Sequence, residues 1–157
     1  MVKKSEPSLL VDADACPISV RIKLENAMRR YQMRLIFFTD QNHEINPGYG
    51  EVEVVAQGHD AVDYALIARV IPGDIVVTQD YGLAALAISR RAYAIHPSGM
   101  EYTSQNIDLL LMERHLAGKA RKAGERFRNQ KRRSHKEDHH FDKQLKTVID
   151  KAMQNAN

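Results

Sequence analysis

The sequence contains a single cysteine and no long hydrophobic run. Cys16 on its own excludes an internal disulfide and fits a reducing compartment. The longest apolar stretches, such as residues 35–38, are far shorter than the roughly 20 residues that a helix needs to cross a bilayer. Charged residues follow the N-terminus at once, so no signal peptide is predicted. We therefore expect a cytoplasmic protein without a membrane segment.

Positive charge is scarce in most of the chain and concentrated at its end. Residues 1–113 hold 10 Lys and Arg against 15 Asp and Glu, whereas residues 114–157 hold 13 against 5. Such a run is typical either of a solvated helix face or of a contact with a polyanion. Under the second interpretation the partner is a nucleic acid, with RNA preferred, and contacts are predicted at Arg121, Lys122, Arg126, Arg128, Lys131, Arg132 and Arg133. This segment has only two aromatic rings, Phe127 and Phe141, which argues against a dedicated single-strand platform.

Short apolar runs alternate with helical patterns along the chain. Strands are predicted at residues 8–12, 33–38, 52–56, 75–78 and 92–95, with helices between them. This alternation predicts an α/β fold, a three-layer sandwich around a mostly parallel five-stranded sheet of order 3-2-1-4-5. Residues 1–117 form the predicted α/β domain, and residues 118–157 form a flexible basic linker to about 136 followed by a terminal helix. The apolar face predicted for that helix consists of Phe141, Leu145, Val148 and Ile149.

Five aspartates follow predicted strand ends or helix starts, namely Asp12, Asp14, Asp60, Asp63 and Asp80. The predicted order places the strands that end near Asp12 and Asp80 side by side, at the sheet edge where open α/β folds bind ligands. Carboxylates held close together repel each other unless a cation lies between them. Oxygen ligands of this kind favour Mg²⁺ or Mn²⁺ over zinc. We predict a metal site with Asp12, Asp63 and Asp80 as inner ligands and with Asp14 and Asp60 as ligands or water-mediated partners.

Each acidic pair also has a structural explanation. Acids near a helix start favour the helix dipole, and Asp60 is placed to cap the helix that follows it. For the pair Asp12 and Asp14, or for the pair Asp60 and Asp63, this structural explanation is the stronger one when the pair is taken alone. A metal site is favoured because both pairs occur together with Asp80. The matching chemistry is metal-assisted hydrolysis of a phosphodiester, for which Asp12, Asp14, Asp63 and Asp80 are the candidate catalytic residues.

Two further residues are candidates for supporting roles. Thr78 follows a strand, where it either orients a carboxylate, donates to a phosphate or simply ends the strand as a β-branched residue. Asp40 ends the second predicted strand and either joins the site or starts a turn, and we favour the turn. Cys16 precedes a helix start, which lowers a thiol pKa, but no paired histidine and carboxylate can be identified around it. We therefore expect a small, partly buried residue there.

With these residues in place, the chain closely resembles the YaiI/YqxD group of bacterial proteins of uncharacterised function, which is placed among the PIN-like domains. The resemblance is carried by Val-Asp-Ala-Asp-Ala-Cys-Pro at 11–17, Gly-His-Asp-Ala-Val-Asp at 58–63 and Gly-Asp-Ile-Val-Val-Thr-Gln-Asp at 73–80. Leu-Ala at 83–84, Pro-Ser-Gly at 97–99 with Tyr102, and Asn-Ile at 106–107 extend it over most of residues 9–116.

The resemblance implies a fold and an activity. PIN-like domains are α/β sandwiches whose acidic residues bind magnesium or manganese, and many of them cut RNA. Asp12 matches their first-strand acid, Asp63 their mid-chain helical acid and Asp80 the acid of their Thr-x-Asp motif. The chain departs from the pattern at Ser98, where an arginine is common, and this change removes a plausible phosphate contact.

Three interpretations of function follow. A divalent-metal-dependent nuclease of PIN-like type comes first. A non-catalytic nucleic-acid-binding protein that keeps the acids for stability is the second. The third is a haloacid-dehalogenase-type phosphatase that uses Asp12 and Asp14, but its mechanism needs a later lysine to hold the phosphoryl group. The chain has no lysine between Lys23 and Lys119, which places this alternative last.

Overall fold

A computed structural model of the chain describes residues 6–58, 60–122 and 133–156. The strands are β1 (Leu9–Asp12), β2 (Leu35–Asp40), β3 (Glu51–Val55), β4 (Ile75–Val77), β5 (Tyr93–Ile95) and β6 (Glu101–Tyr102). The helices are α1 (Ile18–Tyr31), α2 (Ala61–Arg69), α3 (Tyr81–Ser89), α4 (Ile107–Lys122) and α5 (His135–Ala156). The predicted alternation of strands and helices over residues 8–95 is confirmed.

The sheet has the order β3-β2-β1-β4-β5-β6, and all neighbours are parallel except β5 and β6. The predicted order of the first five strands is confirmed. The prediction of five strands is wrong by one, because β6 was missed. This antiparallel edge strand has only two residues, which is too short to show a period of two in the sequence.

Buried strands account for the apolar runs that the sequence shows. β1, β2 and β4 lie inside the sheet with both faces covered, so they lack the alternation of a strand with one wet face. Alternate residues of β1 enter two separate cores: Leu9 and Val11 pack with α1 and α5, whereas Leu10 packs with α2 and α3. The predicted three-layer sandwich is confirmed.

The C-terminal helix belongs to the first of these cores. Its buried face consists of Phe141, Leu145, Val148, Ile149 and Ala152, which includes the whole predicted face. The turn between β5 and β6 approaches α5 so closely that a Cβ on Gly99 would lie 3.1 Å from the backbone nitrogen of Phe141. Gly99 also has a φ of +100°, so both the turn and the contact require glycine.

Helix α4 extends into the segment that was predicted to be flexible. Helix α4 continues to Lys122, so the expectation of a flexible segment from 118 is wrong for residues 118–122. Residues 123–132 of that segment lie outside the described residues, and α5 begins at His135, close to the predicted end of the segment at about 136. Within the described part of the chain, no helix is both long enough and apolar enough to cross a membrane.

The packing of α5 gives a test of the fold. Phe141 is fully buried, so Phe141→Ala should lower the free energy of unfolding by about 3–5 kcal/mol through lost transfer energy and an unfilled cavity. Met153→Ala, which shortens an exposed apolar side chain of the same helix, should change it by less than about 1 kcal/mol. Urea denaturation of the full chain measures both values. Similar small losses in the two variants would show that α5 is not part of the core.

Candidate functional site

The acidic edge of the sheet is set by the pairing of β1 with β4. The two strands are parallel, with Leu10 opposite Val76 and Val11 opposite Val77. The chain leaves β1 toward β2 and β3 and later returns to β4 on the other side, so the order reverses between β1 and β4. This reversal is the topological switch point, at whose carboxyl edge α/β sheets bind ligands.

Asp12 and Thr78 are joined at this edge. Asp12 is the last residue of β1, and only 8% of the residue's surface is exposed. The Thr78 hydroxyl donates to Oδ2 of Asp12 over 3.0 Å and accepts the backbone N–H of Asp80 over 2.9 Å. A single hydroxyl therefore orients one acid and holds the backbone of another. Among the roles predicted for Thr78, the structure shows the one of orienting a carboxylate.

Asp80 is held by the start of α3. Its Oδ1 accepts the backbone N–H groups of Gly82 over 2.8 Å and Leu83 over 3.1 Å, which makes it the N-cap of the helix. Nη1 of Arg114 lies 3.2 Å from the same oxygen. Arg114 comes from α4 and was not among the predicted site residues. Its position next to Asp80 depends on how α4 packs on α3, which leaves no local signal in the sequence.

Asp63 faces Asp80 from the first turn of α2. The two side chains hydrogen-bond, and Asp60, Asp63 and Asp80 line one pocket of about 260 Å³. Burial raises the pKa of Asp63 to about 6, with repulsion from Asp80, Asp12 and Asp60 adding to the effect. Burial also raises the pKa of Asp12, against the hydrogen bond from Thr78 and with repulsion from Asp14 and Asp80. The three predicted inner ligands therefore lie close enough for their charges to help raise the pKa values of Asp12 and Asp63.

Asp60 occupies the N-cap position of α2 but does not cap it. Its backbone lies in the left-handed region with a φ of +62°, and its side chain makes no capping hydrogen bond. The predicted capping role is therefore wrong. The carboxylate instead belongs to the wall of the pocket that Asp63 and Asp80 also line.

Asp14 turns away from Asp12 toward β2. Its carboxylate accepts the Thr39 hydroxyl and, over 3.3 Å, the backbone N–H of Asp40. Nδ1 of His43 lies 3.5 Å from Asp14 and 2.8 Å from Asp40. The hydrogen bond with Asp40 is the main cause that raises the pKa of His43, and the same bond lowers the pKa of Asp40.

This second acidic group was only partly predicted. Asp40 also accepts the backbone N–H of Asn42 over 2.9 Å, so the favoured expectation of a turn is matched by the structure. Among the described residues, one trio of potential metal ligands has its ligand atoms within 4.8 Å of one another, namely Asp14, Asp40 and His43. The ligand atoms of the predicted inner ligands Asp12, Asp63 and Asp80 do not all lie within this distance of one another. His43 was missed, although its spacing of three residues from Asp40 was a usable signal.

The structure describes three of the seven residues that were predicted to contact nucleic acid. Arg121 and Lys122 lie at the end of α4, and Arg126, Arg128, Lys131 and Arg132 lie outside the described residues. Arg133 precedes α5, donates from Nε to Asp138, and has its guanidinium carbon 5.9 Å from the centre of the Phe141 ring.

The donor set of the first acidic group suits a hard divalent cation. Asp12, Asp63 and Asp80 come from a strand end and two helix starts, and all offer carboxylate oxygens. Oδ1 of Asp12 accepts no hydrogen bond from the described residues, which leaves it available as a ligand. A bound cation would offset both the burial and the repulsion that raise the pKa values of Asp12 and Asp63, so the residues fit magnesium or manganese.

The fold and this edge define an α/β protein with an acidic site at its switch point. The family described as "Uncharacterized BCR, YaiI/YqxD family" matches residues 10–151, and the chain belongs to that family. Among its relatives is a UPF0178 protein of Lachnoclostridium phytofermentans, 41% identical over 144 residues that cover 90% of this chain and 95% of the relative.

Two further relatives match a similar share of the chain. The UPF0178 protein of Clostridium acetobutylicum is 42% identical over 143 residues, which cover 90% of this chain and 95% of that protein. The UPF0178 protein of Ruminiclostridium cellulolyticum is 45% identical over 141 residues, which cover 90% and 91%. No solved structure matches the chain.

The raised pKa of Asp63 predicts a pH dependence of stability in the presence of a chelator. The folded-state pKa is about 6 and the unfolded value is 3.8, so the folded chain holds more protons between these values. The contribution of Asp63 to stability therefore falls as pH rises from 3.8 to about 6 and stays low above that range. Asp63→Asn should melt at the wild-type temperature near pH 3.5 and above it at pH 7.

Thermal melts over this pH range provide the measurement. Asp150→Asn, which changes an exposed aspartate of α5, is the matched control and should keep the wild-type profile. A constant difference between Asp63→Asn and wild type at all pH values would contradict the raised pKa of Asp63.

Proposed function

We propose that this protein is a divalent-metal-dependent phosphodiesterase that acts on nucleic acid, with RNA as the preferred substrate, in the cytoplasm. The observation that carries the proposal is the convergence of Asp12, Asp63 and Asp80 at the switch point. Two of these carboxyl groups have pKa values raised by burial and by their acidic neighbours. Such an arrangement is unfavourable unless a proton or a cation neutralises it, and perturbed carboxylates of this kind concentrate at functional sites.

Each acid has a distinct part in the proposed site. Asp12 is kept in one orientation by Thr78, and Asp80 is fixed by the backbone N–H groups of α3. Asp63 holds a proton below a pH of about 6 and releases it when a cation binds, which couples metal affinity to pH. A bound divalent cation would polarise the phosphoryl oxygen and lower the pKa of a coordinated water. No nucleophile from the protein is needed for such hydrolysis.

Positive charge near the site would attract the substrate. Arg114 lies directly against Asp80, and the basic residues that begin there number ten between Arg114 and Lys136. Contacts of this type neutralise phosphates, give strong salt dependence and add little sequence preference.

A non-catalytic nucleic-acid binder is the second candidate. It is favoured by the structural roles that the acids already have, because Asp80 caps α3 and Asp12 is bonded to Thr78. The two candidates differ in whether the acids are needed for a reaction or only for stability.

Asparagine substitutions separate the two candidates. Asp12→Asn and Asp80→Asn keep the shape of each side chain, and asparagine is also a good N-cap, so both variants should fold. Mn²⁺ at about 100 times its dissociation constant should stabilise the wild type by about 2.7 kcal/mol and raise its melting temperature. Both variants should lose this shift, and their Mn²⁺-dependent cleavage of single-stranded RNA should fall by about a hundredfold or more.

The control is again Asp150→Asn, which should behave as the wild type does. A binder would instead hold RNA equally well in all variants and cut it in none. A phosphatase would release phosphate from small monoesters and leave RNA intact. Equal cleavage by wild type and both variants would point to a contaminating nuclease and remove the proposal.

A further inference from the structure

A cavity of about 460 Å³ lies between α1 and α5. Its lining residues on α1 follow Lys23 at intervals of three, four and seven positions as far as Arg30, so they share one face of the helix. The lining residues on α5 lie between Asp142 and Ile149. The acidic pocket at the switch point shares no residue with this cavity. Its volume is within the range of small-molecule sites, which is roughly 300–1,000 Å³.

Positive charge predominates in this cavity. One acid, Asp142, lines it together with four cations, which are Lys23, Arg30, Lys143 and Lys146. Asp142 is bonded to Lys23 over 2.8 Å, so this pair is neutral as a whole. The other three cations form no ion pair with the described residues. The cavity therefore has three positive charges that no carboxylate of the described residues neutralises by direct contact.

These three cations come from both walls of the cavity. Lys143 and Lys146 are three residues apart on α5, where like charges on one face oppose helix formation, and Arg30 lies on α1. A concave surface lined by one sign of charge focuses its field and raises the local concentration of ions of the opposite sign. A phosphate group suits such a surface, because it carries more than one acceptor oxygen and matches the planar donors of a guanidinium.

The floor of the cavity is apolar. Leu145 and Ile149 are buried in the core that α1 and α5 share, and Ala27 and Tyr31 are partly buried and pack against it. A bare phosphate ion would leave this apolar surface in contact with water, whereas a ligand with an aromatic or apolar part would cover it. Asn26 adds an amide to the wall, which can both donate and accept hydrogen bonds. A hydrocarbon chain would leave that amide without a partner.

We propose that the cavity between α1 and α5 binds a nucleotide, with its phosphate held by Arg30, Lys143 and Lys146 and its base and sugar against the apolar floor. A nucleotide joins the two properties that the lining requires, namely concentrated negative charge and a flat ring with polar edges. The same chemistry is present in a free nucleotide and in one nucleotide of an RNA strand. The cavity contains none of the acids of the proposed catalytic site, so nucleotide binding can hold or fail independently of cleavage.

Isothermal titration calorimetry on the full chain measures this binding, in chelator and at constant ionic strength. The ligands are adenosine 5′-monophosphate, adenosine and inorganic phosphate, each titrated alone. Adenosine 5′-monophosphate should bind at least about tenfold more tightly than either of the other two, since it alone meets both the cations and the apolar floor. Inorganic phosphate that bound as tightly would contradict the nucleotide, and so would adenosine.

Substitutions in the lining separate its two halves. Arg30→Gln and Lys143→Gln change exposed residues, and each should weaken the binding of adenosine 5′-monophosphate by about tenfold, the usual effect of losing a charge-assisted hydrogen bond. Tyr31→Leu keeps every charge and should weaken the nucleotide while leaving the affinity for inorganic phosphate unchanged. The matched controls are Lys136→Gln on α5 and Lys119→Gln on α4, which remove an exposed cation outside the cavity and should keep the wild-type affinity.

No binding of the nucleotide by the wild type would overturn the site, as would equal affinity in the wild type, Arg30→Gln and Lys143→Gln. An equal loss in the two controls would show a general effect of charge and would overturn it too. Competition with a short single-stranded RNA identifies the source: displacement of the nucleotide supports binding of a strand, and its retention supports binding of the free nucleotide. Displacement by polyglutamate as effective as that by RNA would show an unselective cationic surface instead of a nucleotide site.

Discussion

The parallel pairing of β1 with β4 is the constraint on which the rest of the site depends. Its register is fixed by fully buried residues on both faces, including Val11 opposite Val77. A slip of one residue would turn every side chain to the other core, so the register has no near alternative. The hydroxyl of Thr78 reaches Asp12 because of this register, and Asp80 follows two residues later at the start of α3. Core packing therefore holds the acids together, against their mutual repulsion.

That repulsion is offset only in part by the protein itself. Asp80 receives two backbone N–H groups and Arg114, whereas Asp12 receives one hydroxyl and stays nearly buried. The carboxyl group of Asp63 is the least favourable place for a negative charge, since burial and three acidic neighbours together raise its pKa. The cation-free protein thus keeps unfavourable electrostatic energy at the switch point. A proton relieves it at low pH, and a divalent cation would relieve it at neutral pH, so that binding of a cation would stabilise the fold.

Sequence reasoning succeeded where the signal was local. The apolar runs of the strands led to the predicted sheet order, and Asp12 and Asp80 were placed because they stand at or just beyond the ends of β1 and β4. It failed where the backbone departs from regular geometry. Asp14 was predicted to serve the same metal site as Asp12, but the chain leaves β1 at Asp12, so the alternation of a strand no longer applies and Asp14 turns to Thr39. Arg114 approaches Asp80 only through the packing of α4. His43 approaches Asp14 and Asp40 only through the loop after β2.

The uneven distribution of charge along the chain acquires a spatial meaning in the fold. The acids at the edge come from the first 80 residues, whereas Arg114, which lies against Asp80, is the first residue of the basic end of the sequence. Arg114 reaches Asp80 from α4 on one face of the sheet, while Arg133 lies at the start of α5 on the other. A polyanion that approached the carboxylates alone would be repelled. The cation of Arg114 beside Asp80 would reduce that repulsion and would lower the electrostatic cost of bringing a phosphate to the carboxylates.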